Sequence, residues 1–432
     1  MSQKMNFIEY ISEVEQQQLL NNTVSQEFPE NILSICRNII PEEEGTCIGC
    51  RNLPAFTIDN PESKDLDDAI NLVHDKDRFD LYIYIINAAR YVPYGSLLDE
   101  VITKRAITHY LITQNIPMMP RILSERLCSI VPNESREAIT IMIRLDNNAN
   151  ILSYNIFKSI ICSRVKGNYP EVNRLISGKS NTYLDIKYRE VRSQLSDMKN
   201  LYTLLLNKRI QRGSIPKNNE KPKIIVKKDK VELIPKKRGI AEGMIEEFMI
   251  TANSVISHYM YAHGLPMIHR TQDKKKRLAS YSPHKKGHAD LNLEDYVHFT
   301  SPARRISDLK NAQILLMYLQ GFESRVIHSI FDDNLEEMCE IATKRSRTAK
   351  QIEERCNKIC YELFFSQTPE KLYIGTIVGY DKHSRPIVKD DLYGINFICN
   401  TISKVSAGSQ YRFRVNTSSG RMFAENLIRI PA

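Results

Sequence analysis

The stretch Phe56-Thr-Ile-Asp-Asn-Pro-Glu-Ser-Lys-Asp-Leu-Asp-Asp-Ala-Ile70 decides how the chain is read. It holds four aspartates, Asp59, Asp65, Asp67 and Asp68, between two apolar flanks. Phe56 and Ile58 read as the end of a strand, and Ala69, Ile70, Leu72 and Val73 as the start of the next element. Like charges this close repel, and a folded chain accepts them only if they face water or share a cation. Hard divalent ions take oxygen ligands, which carboxylates on a tight loop supply. Two readings stand at this point: a divalent-metal site, or a solvated acidic turn helped by the interspersed Asn60, Pro61, Ser63 and Lys64.

The remaining composition narrows the class. The 432 residues are 42% hydrophobic and 26% charged, which predicts a soluble, core-forming protein of more than one domain. No apolar run approaches a membrane span, and Met1–Ile8 lacks the apolar core of a signal peptide. Nine scattered cysteines predict reduced thiols in an intracellular, reducing compartment, with the cytoplasm as the expected location. Cys47-Ile-Gly-Cys50 has no second pair nearby and reads as a turn rather than half a zinc site. Net charge is +9, with basic groups at Lys221–Lys230, Lys236–Arg238, Lys274–Arg277, Lys285–Lys286 and Arg304–Arg305. An acidic site in a basic protein suits a polyanionic substrate cut with metal assistance, although any one basic run also reads as solvated surface.

Hydrophobic periodicity places the elements. Helices are expected near Phe7–Leu20 and over residues 29–40, ending at Pro41. Arg78–Ile86 is a β-rich run of the kind buried inside a sheet. Ser96–Leu111 reads as a helix running into Tyr110, Pro117–Pro120 as a rigid turn, and Leu123–Ile130 as a short helix. Ala138–Leu145 and Ile151–Cys162 form an expected antiparallel pair. Helices follow over Tyr169–Ile176 and Tyr183–Asn207, then a lysine-rich β segment over Lys223–Ile234 and a helix over residues 240–262. Tyr281–His288 reads as a loop. His298–Arg305 reads as a loop entering a helix whose first N–H groups can face a phosphate. Asn334–Phe365 reads as a long charged helix. After Pro369, the short runs Leu372–Val378, Gly394–Ile402, Tyr411–Val415 and Met422–Ile430 predict a small β-barrel.

With these elements in place, Phe56–Ile70 resembles the catalytic loop of the ribonuclease II / ribonuclease R (RNB-domain) exoribonuclease family. Leu98-Asp99 followed by Arg105–Tyr110, and Ile116–Ile130 (IPMMPRILSERLCSI), are similar to further motifs of that family. So are Ile245–Asn253 (IEEFMITAN) and Gly287-His288 with Tyr296–Arg305 (YVHFTSPARR). They occur in the family's order over about residues 29–365. The resemblance implies an α+β fold: a mixed sheet surrounded by helices around a central RNA channel, with a small C-terminal S1-like barrel. It divides the chain into an N-terminal helical extension (1–50), a catalytic domain (51–367) and the barrel (368–432). Fifty residues are too few for the cold-shock barrels that usually precede the catalytic domain, so a short form is expected.

The resemblance also implies a magnesium-dependent hydrolase that shortens single-stranded RNA from the 3′ end and releases nucleoside 5′-monophosphates. Asp59, Asp65, Asp67 and Asp68 match the catalytic, metal-holding aspartates, for one or two magnesium ions with manganese as a substitute. Asp67 and Asp68 are taken as the more critical pair. Arg304 matches the arginine that acts on the scissile phosphate, and Tyr110 the tyrosine that stacks on the terminal base. Arg305, His298, Glu246 and Glu247 join the RNA-binding set, one glutamate near the terminal nucleotide and the other in a salt bridge. No membrane partner is expected, and a monomeric or partner-assisted state is left open.

Three departures stand out. Asn87-Ala-Ala-Arg90 replaces an acidic family motif. Residues 306–313 lack an aromatic and a His-Arg pair. Ser214–Lys217 lacks an aromatic clamp. These keep two other readings alive: a catalytically weak RNB-like RNA-binding protein, and an assembly subunit whose helix 334–365 packs on a partner.

Overall fold

The computed structural model describes residues 6–39, 47–216, 221–275, 278–400, 405–417 and 421–430. The acidic stretch joins two strands of a seven-stranded sheet, β2 (Phe56–Asp59) and β3 (Asp68–Asp75). The other strands are β1 (Ile48–Gly49), β4 (Arg78–Ile86), β7 (Ser135–Asp146), β8 (Ile151–Cys162) and β9 (Val165–Asn168), in the order β1-β8-β7-β4-β3-β2-β9. Strands β3, β4, β7 and β8 form an antiparallel meander, and the two outermost strands pair in parallel. Strand β4 buries Phe79, Leu81, Ile83, Tyr84, Ile85 and Ile86, as an apolar run broken only by Asp80 requires when both faces are covered.

Ten helices surround this sheet and connect it to the rest among the described residues: α1 (Phe7–Asn21), α2 (Glu30–Arg37), α3 (Ala88–Tyr91), α4 (Leu97–Arg105), α5 (Tyr169–Ile176), α6 (Thr182–Lys187), α7 (Gln194–Gln211), α8 (Ile240–Ala262), α9 (Ile306–Leu319) and α10 (Ser324–Ser366). Helix α8 buries Met244, Phe248, Ala252, Val255 and Ile256, the stripe its sequence predicts. Its start is fixed by Glu242, which accepts the Gly239 N–H at 3.0 Å. Small hairpins complete this part: β5 (His109–Tyr110) with β6 (Asn115–Ile116), β10 (Lys223–Val226) with β11 (Val231–Ile234), and β12 (His269–Gln272) with β13 (Ala279–Ser282).

At the C-terminal end, β14 (Tyr373–Tyr380), β15 (Pro386–Asp390), β16 (Asn396–Cys399), β17 (Gln410–Asn416) and β18 (Phe423–Arg429) close a barrel. Phe365, from the end of α10, packs among Tyr373, Phe397 and Phe413 in its core. The architecture is therefore the expected α+β arrangement with a small S1-like barrel. No described helix is long and apolar enough to cross a membrane. None of the nine cysteines forms a disulfide.

Several boundaries differ from expectation. The helix expected through Leu111 stops at Arg105. Ala106 adopts a left-handed φ of 63°, and the β-branched Ile107 and Thr108 pair with the backbone of Arg304–Ile306. Tyr110 thus lies on a strand. The helix expected over Tyr183–Asn207 splits into α6 and α7. Between them the buried Tyr188 donates its O–H to Glu171 at 2.6 Å and accepts the Asn168 N–H, drawing the chain inward. Helix α10 begins ten residues before Asn334. The barrel has a strand, Pro386–Asp390, that its short run did not betray. Cys47–Cys50 is not a free turn, because Ile48 and Gly49 pair with Ser159 and Ile160. The helix end expected at Pro41 and the last residue of the Ser214–Lys217 segment lie outside the described residues.

The altered 306–313 segment is repacked internally. Lys310, 1% exposed, places Nζ 2.6 and 2.7 Å from the two carboxylate oxygens of the buried Asp99. Gln313 donates to the same carboxylate at 2.9 Å, and the Gly95 N–H at 3.0 Å. Removing one member of such a pair strands the other charge. Lys310→Met is expected to lower the unfolding free energy by about 3–5 kcal/mol in urea titration. The double variant Lys310→Met/Asp99→Leu is expected to recover most of that loss.

Candidate active site

The four aspartates meet where β2 ends and β3 begins. Asp59 closes β2, Asp68 opens β3, and Asp65 and Asp67 lie on the connection. Register places Asp59 beside Asn168 of the parallel strand β9, bringing in Lys166 and Tyr169. Asp67 is 3% exposed. Its Oδ1 accepts the Ala303 N–H at 3.0 Å, and its Oδ2 lies 3.3 Å from Arg304 Nε. Arg304 is steadied by Ser301 Oγ, 2.9 Å from its Nη2. Tyr110 donates its O–H to Asp65 and leaves 43% of its surface exposed. Two backbone bonds, from Thr108 N–H to Arg304 O at 3.1 Å and from Ile306 N–H to Ala106 O at 2.8 Å, fix the tyrosine segment beside the arginine.

Electrostatics reports how costly the arrangement is. Burial, with Asp59 and Asp67 alongside, holds the Asp68 carboxyl well above the usual carboxylate range. Burial pushes Asp67 up to about 7, against the pull of Arg304 and the Ala303 N–H. Burial also pushes Asp59 up to about 6, with Arg304 opposing and Asp65 adding to the rise. The carboxylates are thus close enough to raise one another.

Among the described residues, no three His, Cys, Asp or Glu side chains form a group arranged to hold a metal ion as they stand. Asp65 is turned onto Tyr110, and Asp67 onto Ala303 and Arg304. The donor chemistry nevertheless suits a hard cation, being carboxylate oxygen throughout. Asp59 Oδ2 is buried without a hydrogen-bond partner.

The other expected RNA-binding residues have partners inside the fold. Arg305 grips the buried Asp308 at 3.0 and 2.6 Å. His298 Nδ1 lies 3.0 Å from the Tyr281 hydroxyl. Burial, then Arg305 and Arg270, hold its imidazole well below the usual value. Arg209 engages both Glu246 and Glu247. Glu247 is buried, and Arg238 adds a second ion pair to Glu246. Ser214 is also buried and bonds Arg209 and the Asp290 carbonyl. Asn87 is buried and donates to Glu137, which also pairs with Arg90.

Beside the acidic group opens a cavity of about 1120 Å³. Asp65, Tyr110 and Tyr169 line it together with Lys223, Lys236 and Lys237. The sequence reading gave Tyr169 and Lys166 no place in the site. Burial, with Asp59 and Asp68 next, raises the Tyr169 phenol. The signal that places these residues is the parallel β2–β9 pairing, which no local pattern reveals.

Together, the mixed sheet, the four-aspartate loop with its arginine and the terminal barrel define an RNase R-type fold. Residues 49–279 and 274–321 match the RNB domain, and the chain belongs to the RNB-domain family. It is 27% identical over 423 residues to ribonuclease R 1 of Lactococcus lactis, covering 84% of this chain and 51% of that protein. It is 28% identical over 412 residues to ribonuclease R of Aquifex aeolicus, covering 82% and 58%. The chain thus spans about half the length of these relatives. Mycoplasma genitalium RNase R, solved with ribose-methylated single-stranded RNA, superimposes with a TM-score of 0.84 at 20% identity, over 96% of this chain and 77% of that one.

A carboxyl whose folded-state pKa exceeds its unfolded value costs stability above the unfolded value, and the cost disappears as pH falls. Asp68→Asn removes one such cost. In EDTA at pH 7.5, its thermal midpoint is expected to exceed wild type by about 2 °C or more. The gap is expected to shrink as pH approaches 4, as followed by scanning calorimetry.

Proposed function

We propose that this chain is a magnesium-dependent hydrolase that removes nucleotides from the 3′ end of single-stranded RNA as nucleoside 5′-monophosphates. The carrying observation is the contact of the buried Asp67 with the half-exposed Arg304 within the four-aspartate group, beside a lysine-walled cavity with Tyr110 at its acidic end. Asp59, Asp65, Asp67 and Asp68 are the residues that would hold magnesium. When bound, the ion supplies charge neutralisation and lowers the pKa of an attacking water.

The chain's own residues do the remaining work. Arg304, fixed in direction by Asp67 and Ser301, offers its outer N–H groups to the non-bridging oxygens as charge develops on the phosphate. Tyr110 presents its exposed ring to the last base, and such stacking accepts any base. Lys223, Lys236 and Lys237 lie along the cavity that the rest of the strand would follow. Arg209 holds Glu246 and Glu247 in place at the side of α8, and Arg305 with Asp308 braces the loop that carries Arg304. We divide the chain accordingly into the N-terminal extension (1–50), the catalytic domain (51–367) and the barrel (368–432).

The altered family positions do not weaken this reading. Asn87 bonds Glu137, and Gln313 bonds Asp99 beside Lys310. Incubation of 5′-labelled single-stranded RNA with magnesium is expected to give a ladder shortening from the 3′ end. EDTA and Asp68→Asn are expected to abolish it, and Arg304→Ala to slow it by about 100-fold. Bound but unshortened RNA in the wild-type reaction would favour an RNA-binding role instead.

A further inference from the structure

Glu15 is a charged residue with no exposed surface. It lies on α1, outside the segment that matches the RNB domain. Its Oε1 accepts the backbone N–H of Ile112 at 2.6 Å and that of Thr113 at 3.1 Å. Its Oε2 accepts the Thr113 hydroxyl. These donors sit in the loop between β5 and β6, two and three residues past Tyr110. A further bond, Leu111 N–H to Gln114 O at 2.9 Å, closes that loop. One buried carboxylate thus satisfies donors that a tight loop cannot pair internally.

Apolar packing holds the carboxylate in place. Leu19 and Val14 of α1 meet Leu111, Ile112 and Ile116 of the hairpin, with Ile352 and Cys356 of α10 beneath. The start of α1 is tied separately, since Phe7 N–H donates to Lys228 O at 3.1 Å. On its other side, the hairpin presents Tyr110 to Asp65, and Leu111–Asn115 line the large cavity. A continuous set of contacts therefore runs from α1, through the loop, to the ring expected to meet the terminal base.

We propose that Glu15 is a positioning residue: α1 uses its carboxylate to set the Leu111–Gln114 loop, and through that loop the Tyr110 ring, for capture of the RNA 3′ terminus. The inference rests on the stacking role given to Tyr110 under the proposed function. Glu15 touches no substrate in this scheme. Its loss weakens capture of the end and leaves the acidic centre intact. An interaction present equally in ground and transition states changes KM rather than kcat.

The test is a double-variant cycle on the full chain with a short single-stranded oligoribonucleotide and magnesium. Glu15→Ala is expected to raise KM about tenfold while changing kcat less than about threefold, the size of one lost stacking contact. In the Tyr110→Ala background the same change is expected to have little further effect on KM, because both variants remove one interaction. Thr113→Val, at an exposed position, removes a single bond to Glu15 and should raise KM in the same direction by a smaller factor. It serves where Glu15→Ala does not fold.

A second readout uses RNA with a 3′-terminal 2-aminopurine and calcium in place of magnesium. Wild type should quench its fluorescence, and the Glu15→Ala and Tyr110→Ala proteins should not. Quenching retained in Glu15→Ala and Thr113→Val, or KM effects that add to those of Tyr110→Ala, would overturn the role of Glu15 and leave the nuclease reading standing. A wild-type protein that shortens RNA without quenching would remove the stacking role of Tyr110, and this inference with it. A wild-type protein that quenches but never shortens RNA would refute the nuclease reading, and the fluorescence comparison would still decide the role of Glu15.

Discussion

The contact between Asp67 and Arg304 joins residues 237 positions apart, and the centre of the molecule is arranged around it. A buried carboxylate without a cationic neighbour takes up a proton. Asp67 is pushed toward that state by burial and drawn back by Arg304. The same loop, through Ala303 N–H, grips the other oxygen. Everything that fixes Arg304 therefore fixes the acidic group: Ser301 on its guanidinium, Thr108 on its carbonyl, and the Arg305–Asp308 pair one residue on. The β2–β3 connection supplies Asp67, the entry to α9 supplies Arg304, and neither alone makes a site.

This dependence explains why the motifs lie so far apart in the chain. The β2–β3 connection presents carboxylates, the 106–110 segment presents a tyrosine, and the loop before α9 presents the arginine. Short backbone pairings between 106–108 and 304–306 draw the last two together. The acidic group carries its repulsion as a standing cost, of the kind folded proteins accept where charge has a use. The lysines that wall the cavity beside it carry the opposite sign and suit a polyanion, which the carboxylates would accept only across a shared cation.

Much of this was legible in the sequence because it depends on local pattern. The apolar stripe of α8 and the buried run of β4 were both visible, and Asp59–Asp68 stood out as an unlikely charge cluster. What was not legible depends on contacts between distant segments. Tyr110 looked helical because Leu97, Leu98 and Val101 open a helical period. That period ends where Ile107 and Thr108 find strand partners near residue 305. Arg209 on α7, which no local pattern linked to Glu246 and Glu247, pairs with both. Tyr169 reaches the acidic group only through the parallel β2–β9 register. Gln313, which stands where the family pattern has an arginine, bonds a buried aspartate on α4.

The central claim is that the acidic group and Arg304 hydrolyse a phosphodiester by attack of water. The most direct measurement is mass analysis of the nucleotides released from single-stranded RNA by the wild-type chain in ¹⁸O-enriched water with magnesium. Hydrolysis at this centre predicts nucleoside 5′-monophosphates carrying one ¹⁸O atom on phosphorus. Release of cyclic or 3′-phosphate products, which form by attack of the RNA's own 2′-hydroxyl, would contradict it, as would 5′-monophosphates without the label.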